Sequence, residues 1–314
     1  MNKYIVTAGI CLVLLSLFAV GMQGQEVQGK VLIVNSGNSV ERYNAVQREF
    51  SANYPLKKVY INMDDKSIDE KKIKETIQNE APDIIYCIGS MAYVSTYKHA
   101  DNRPLIFSSL INWHRLPMNK NTYGIDNAMP AKLQMSMFRY FFPELKNIGV
   151  VYDEKYNKEW VDKAVKEGNV LGLHIEVKSI TDARTLQSSL KKLLETVDAL
   201  WLIPDPGVMS DKQSIDILLR QSAASKKPVF AYDAVFENDA AFVIYADAPT
   251  IGRQSAALAL DIIRKNPITD KVQNPAGSYI IVNLKKAKAS GLKLNTDALD
   301  SATRVIGEEG KGER

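Results

Sequence analysis

Asn147-Ile148-Gly149-Val150-Val151-Tyr152 is a short apolar run of strand-forming residues, and Asn157 to Leu171 behind it carries a helical pattern. A strand apolar on both faces, followed by an amphipathic helix, is the repeating unit of a parallel sheet covered on both sides. This unit restarts a series that has already run once. Upstream, strands read at Lys30–Asn35, Val59–Met63, Ile84–Ile88 and Pro104–Phe107, with helices at 40–53, 67–80 and from Ser90 to Tyr97. Ser39 is the expected cap of the first helix. In the second helix Ile68, Ile73 and Ile77 share one side, and Pro82 ends it. A helix over 131–141 leads into the restart. Downstream, strands read at Ile175–Lys178, Ala199–Ile203, Pro228–Ala231 and Ala241–Tyr245, with helices at 183–195 and 211–225.

Two such series define the expected fold class: α/β, as two doubly wound parallel-sheet lobes. A chain of 314 residues is longer than one compact core usually absorbs. A helix over 250–265 and a strand at Tyr279–Val282 follow the second series, and no Pro/Gly/Ser-rich linker separates the halves. The expected hinge is therefore crossed more than once. The expected division is 1–21 as a signal peptide, 29–145 plus 248–276 as the first lobe, 146–247 plus 277–306 as the second, and 307–314 as a tail.

The N-terminus reads as an export signal. Lys3 precedes an uncharged run from Tyr4 to Met22, with small residues at Ala19 and Gly21 and polar Gln23, Gln25 and Glu26 just after. The expected location is periplasmic or extracytoplasmic. An uncleaved membrane anchor is the alternative, because the run is almost long enough to span a bilayer. The formal charge of +4 includes Lys3 and the Lys311–Arg314 tail. That leaves no concentrated basic face, so nucleic acid is not an expected partner. Cys87 is the one cysteine downstream of the signal, set in the buried-strand pattern Asp83–Gly89, and reads as a packed, unreactive thiol.

Ligands of doubly wound sheets sit beyond the carboxyl ends of the strands. In the first series those ends carry Ser36 and Gly37, Ser90, and Ser108. Helices begin just after, and the free N–H groups of a helix start attract carboxylates or phosphates. In the second series they carry Tyr152, Asp205, Tyr232-Asp233 and Tyr245 with Asp247. There acids would meet a cationic group and aromatics an apolar body. An anion-binding lobe facing a cation-binding lobe suits a zwitterion such as an amino acid. Helix capping and turn formation explain the same residue types one at a time. Trp113 and His114 follow the fourth strand and read equally as cleft rim or loop packing.

Catalytic patterns are absent. The three histidines, His99, His114 and His174, show no metal-ligand spacing. There is no Gly-x-Ser-x-Gly elbow, no phosphate-binding Gly-Lys-Ser/Thr loop and no Gly-x-Gly-x-x-Gly after the first strand. No enzyme activity, cofactor or metal is expected.

Several segments resemble one family. Val282-Asn283-Leu284-Lys285-Lys286-Ala287-Lys288-Ala289-Ser290-Gly291-Leu292 is similar to the C-terminal VNLKTAKALGL run of ABC-transporter substrate-binding proteins that include the tryptophan/tyrosine-type binders. Lys146–Tyr152, Val197–Asp205 and Lys227–Ala231 resemble further segments of that family. Pro82–Ile85 with Gly89-Ser90, and Arg103–Phe107, do so in the first half. The resemblance implies a type I periplasmic-binding-protein fold, a small-molecule ligand, an inner-membrane ABC permease as partner, and ligand contacts at Ser90, Asp205 and around Asp247. The sequence departs from the family pattern at Ser108–Trp113, at Pro206 and at Pro249, all cleft positions. The alternative function is a ligand-sensing module of the same fold that signals to a membrane receptor or kinase.

Overall fold

The computed structural model describes residues 29–65, 67–180 and 183–307. The expected signal peptide and nearly all of the expected tail lie outside the described residues. Two sheets organise the rest. The first holds β1 (Lys30–Asn35), β2 (Lys57–Asn62), β3 (Ile84–Ile88), β4 (Leu105–Ser108) and β5 (Thr122–Ile125), with helices α1 (Glu41–Asn53), α2 (Glu70–Glu80) and α3 (Ser90–Tyr97) between them. Next come α4 (Ala131–Phe141), β6 (Asn147–Tyr152), α5 (Glu154–Val170), β7 (His174–Ser179), α6 (Ala183–Leu194), β8 (Ala199–Trp201), α7 (Lys212–Ala224), β9 (Val229–Ala231) and β10 (Phe242–Ala246). The chain ends with α8 (Ala248–Arg264), β11 (Val272–Gln273), β12 (Ser278–Asn283), α9 (Leu284–Ala289) and β13 (Arg304–Ile306). The strand orders are β11-β5-β4-β3-β1-β2 and β13-β12-β10-β9-β8-β6-β7. The α/β class and the paired doubly wound sheets read from the sequence are what the structure contains.

The chain crosses between sheets at 126–130, again at Asp247, and again at 274–277. These crossings lie close together. Asp126 N donates to the Gln273 carbonyl at 2.8 Å and Asp247 N to the Gly277 carbonyl at 3.0 Å. The last crossing explains the one departure from parallel pairing. The chain returns to the second sheet at the edge where β10 left it, with Ser278 opposite Ala246, so β12 must run antiparallel to β10.

The crossover helices pack away from the series that precedes them. The sequence division places 131–141 with the first lobe, but α4 lays Phe138, Phe141 and Phe142 on Trp201, Phe230 and Phe242 of the second sheet. Helical periodicity marks an apolar face without saying which sheet will cover it. Conversely α8, which follows β10, packs along α1 in the first lobe. Gly252 permits that approach: a Cβ there would lie 2.4 Å from the Val46 carbonyl oxygen. Gly252→Ala is expected to lower stability by about 2 kcal/mol through forced separation of two backbones, read as a shift in the urea midpoint. An unchanged midpoint would show that the helices part at no cost.

Helix starts differ from the sequence reading by a few residues, and caps explain the shifts. Asp69 accepts from Lys72 N, so α2 begins at Glu70 rather than Ser67. Asp153 accepts from Lys155 N, so α5 begins at Glu154 rather than Asn157. Ser39 does not cap α1. Val40 holds that position without a side-chain bond, and Ser39 N donates to Asp64 Oδ2 at 2.7 Å.

Cys87 is fully buried in β3, and burial pushes its thiol up to about 12. The thiolate is the reactive form, so the folded protein is expected to resist alkylation by iodoacetamide at pH 8. Labelling should appear only in denaturant, and rapid labelling of the folded protein would contradict this packing.

Candidate ligand cleft

The carboxyl edges of both sheets face a cavity of about 300 Å³. One wall comes from the first lobe: Leu110 to His114 after β4, Asp126 to Met129 after β5, and Arg42 from the first turn of α1. The opposite wall comes from the second: Ile203 to Pro206 after β8, Tyr232 and Asp233 after β9, Tyr245 at the end of β10, and Asn157 and Trp160 on α5. Gln134 of the crossover helix α4 also reaches it. Its amide accepts from Trp201 Nε1 at 3.2 Å and donates to the Met129 carbonyl at 2.7 Å, which joins wall to core.

Asp205, Tyr232, Asp233 and Tyr245 are the sequence-predicted site residues that line this cavity. Asp205 is buried and its oxygens are heavily used. Oδ2 accepts from Asp153 N at 2.9 Å and Asn157 Nδ2 at 2.7 Å, and Oδ1 accepts from Gly207 N and Val208 N, each at 2.9 Å. A carboxylate has about four acceptor positions, so Asp205 spends them on tying the β8 loop to the start of α5. Asp233 is less committed. Its Oδ1 accepts from Val235 N at 3.0 Å, while Oδ2 lies 3.7 Å from Arg42 Nη1 across the cleft.

The other predicted residues sit outside the cavity lining. Ser36 Oγ accepts from Ala92 N at 2.9 Å. The start of α3, where an anion was expected beside Ser90, is thus capped by the chain's own hydroxyl. At Gly37 an added Cβ would lie 2.6 Å from Asp64 Oδ1, so the glycine serves a close turn. Ser108 is fully buried and hydrogen-bonded to the Tyr86 hydroxyl at 2.7 Å. Tyr152 belongs to the core. Asp247 caps α8, accepting from Thr250 N at 2.9 Å, with Arg253 at 3.8 Å.

Several lining residues were not singled out from the sequence. Asp126 and Asn127 follow β5, whose Thr-Tyr-Gly-Ile sequence lacks a clear strand pattern. Arg42 looks like an ordinary surface residue of α1. Trp160 looks like core. Trp113 and His114, left open between rim and packing, line the cavity. Strand-end position is the signal that finds Asp126 and Asn127 once β5 is recognised.

The cavity is electrostatically mixed. Arg42 shares the lining with Asp126, Asp205 and Asp233, and aromatic surface comes from Trp113, Trp160, Tyr232 and Tyr245. Burial, reinforced by Asp233 and Asp205, pushes the Tyr232 hydroxyl up to about 12. Burial, with Tyr279 next in weight, does the same for Tyr245. Both therefore stay neutral at physiological pH as hydrogen-bonding groups with an apolar ring. Among the described residues no group of three or more His, Cys, Asp or Glu side chains could hold a metal ion. No described helix is long and apolar enough to cross a membrane.

Solved structures share the fold. A substrate binding protein with adhesive properties from Clostridium difficile, solved ligand-free and open, superposes with a TM-score of 0.71 at 18% identity, covering 89% of this chain and 100% of that one. A Streptococcus pneumonia ABC domain solved in complex with L-Trp gives 0.58 at 18%, with coverages of 89% and 100%. A conserved domain protein from Vibrio cholerae gives 0.58 at 19%, with coverages of 88% and 99%. No curated protein matches. A family model described as ABC transporter substrate binding protein matches residues 55–306, most of the chain, and the chain belongs to that family.

Proposed function

We propose that this substrate-binding protein is exported, captures a compact organic solute between its two sheets and hands it to an inner-membrane ABC permease. The observation that carries the reading is the cavity itself, formed where the carboxyl edges of both sheets meet. Its size is that of a small-molecule site, and its aromatic walls with a few polar groups are the usual lining of one. The ligand class that fits is a solute with an apolar body and charged ends, such as an amino acid. A structure of similar fold is described as a complex with L-Trp, which makes aromatic amino acids the first solutes to test. Closure of the lobes about the adjacent crossings is the working motion. The reading involves binding and release without a chemical step.

The test is thermal unfolding against amino acids, sugars, nucleosides and small carboxylates. A solute that binds only the folded state at 100 times its Kd stabilises by about 2.7 kcal/mol, which raises Tm by several degrees. A saturable rise with one solute class supports the reading. A flat response across every class contradicts it.

A further inference from the structure

Arg42 and Asp233 are the pair of lining residues with the most unusual placement. Arg42 stands on α1 of the first lobe and Asp233 follows β9 of the second, so the pair spans the cleft. Nη1 and Oδ2 are 3.7 Å apart, within ion-pair range but too long for a hydrogen bond. Each partner keeps binding capacity. The guanidinium has five N–H donors, and Nη2 donates to Asn127 Oδ1. Asp233 Oδ2 faces the arginine, while Oδ1 holds the local turn. Both side chains are about one-third exposed, at 30% and 37%. Arg42 is the one Lys or Arg side chain among the cavity-lining residues, and Asp205 is taken up by its own loop and the start of α5.

We infer that a zwitterionic ligand inserts between Arg42 and Asp233, its carboxylate on Arg42 and its ammonium on Asp233, so that this pair selects zwitterions over singly charged or neutral solutes. The inference rests on the receptor reading above. Insertion replaces one long ion pair by two short, charge-assisted ones and keeps both charges of the pair compensated. A monoanion would also meet Arg42 but would leave Asp233 beside a like charge. A monocation would leave Arg42 unpaired in a partly enclosed site. Unpaired or like charges in such a site are the standard source of discrimination. A neutral solute gains nothing from the pair and must fit around it. The inserted ligand also bridges the lobes where the ion pair does now, which couples occupancy to their closure.

Calorimetric titration tests this with the tightest binder among the twenty L-amino acids, its decarboxylated amine and its deaminated acid, and with glucose as a neutral solute. The wild-type chain is expected to bind the amino acid at least tenfold more tightly than either singly charged analogue. Arg42→Gln should erase the preference over the amine, and Asp233→Asn the preference over the acid. In the double variant the loss of amino-acid affinity should be smaller than the sum of the two single-variant losses, because both act on one ligand through one pair. The analogue series needs no variant, so a poorly folding substitution leaves the test intact. An amine or acid that binds within twofold of the amino acid overturns the inference. So does the absence of binding by any amino acid. If glucose binds in that case, the receptor reading survives. If no solute in the wider thermal screen binds, both fail.

Discussion

Asp205→Ala is expected to destabilise the protein by about 4 kcal/mol. Three backbone N–H groups and the Asn157 amide converge on this one buried carboxylate. Removing it strands donors in a largely enclosed place, and hydrogen bonds to a charged group contribute about 1.5–3 kcal/mol each. Water from the adjoining cavity recovers part of the loss, which is why the figure stays well below the sum. Asp205→Asn keeps one carbonyl oxygen and should cost about half as much. Urea unfolding followed by circular dichroism reads both. A loss under about 1 kcal/mol for the alanine variant would mean that the loop does not depend on this carboxylate. Ligand affinity should fall too, through the displaced Pro204–Pro206 wall rather than through a lost direct contact.

Phe138→Ala should have a similar cost, about 4 kcal/mol, by a different route. Phe138 is fully buried on α4 and meets Trp201 at 5.4 Å, Phe230 at 4.8 Å and Phe242 at 5.6 Å between ring centroids. Truncating a core Phe removes transfer energy and leaves a cavity, at about 3–5 kcal/mol. Because α4 is a crossover helix that also carries Gln134 to the cleft, the loosened helix should weaken ligand binding as well. Phe138→Leu, which refills most of the space, should recover over half of both losses. Full stability in the alanine variant would contradict the packing of α4 on the second sheet.

The two sheets were legible in the sequence because apolar strands alternate with amphipathic helices, and the restart at Asn147–Tyr152 separates the series. The placement of α4 was not legible, whereas α8 falls in the first lobe to which the sequence division assigned 248–276. A helix's apolar stripe is written locally, but the sheet that covers it depends on where the chain crosses. The direction of β12 likewise follows from the short return at 274–277 rather than from any feature of Ser278–Asn283. In the cleft, strand-end position was informative, and residue type was ambiguous. Asp205, Asp233 and Asp247 look alike as acids after strands. Their oxygens differ because the local N–H groups differ: Asp205 is encircled, Asp247 serves the first turn of α8, and Asp233 keeps one oxygen turned toward Arg42. Ser36 shows the same limit, since its hydroxyl completes a helix start that the sequence left vacant. Arg42 was missed because nothing in α1 distinguishes it from the other charged residues of that helix.

Tryptophan fluorescence tests the central claim, that the solute binds between the two sheets, most directly. Trp113 lines one wall of the cavity, Trp160 lines the other, and Trp201 lies buried in the core. Titration of the wild-type chain with a non-fluorescent solute identified by thermal shift should change the emission and saturate at one equivalent. With Trp113→Phe and Trp160→Phe combined, leaving Trp201 as reporter, calorimetry should still show binding while most of the emission change disappears. An emission change that persists undiminished in that double variant, or calorimetric binding to the wild type with no emission change, would place the ligand elsewhere and contradict the account.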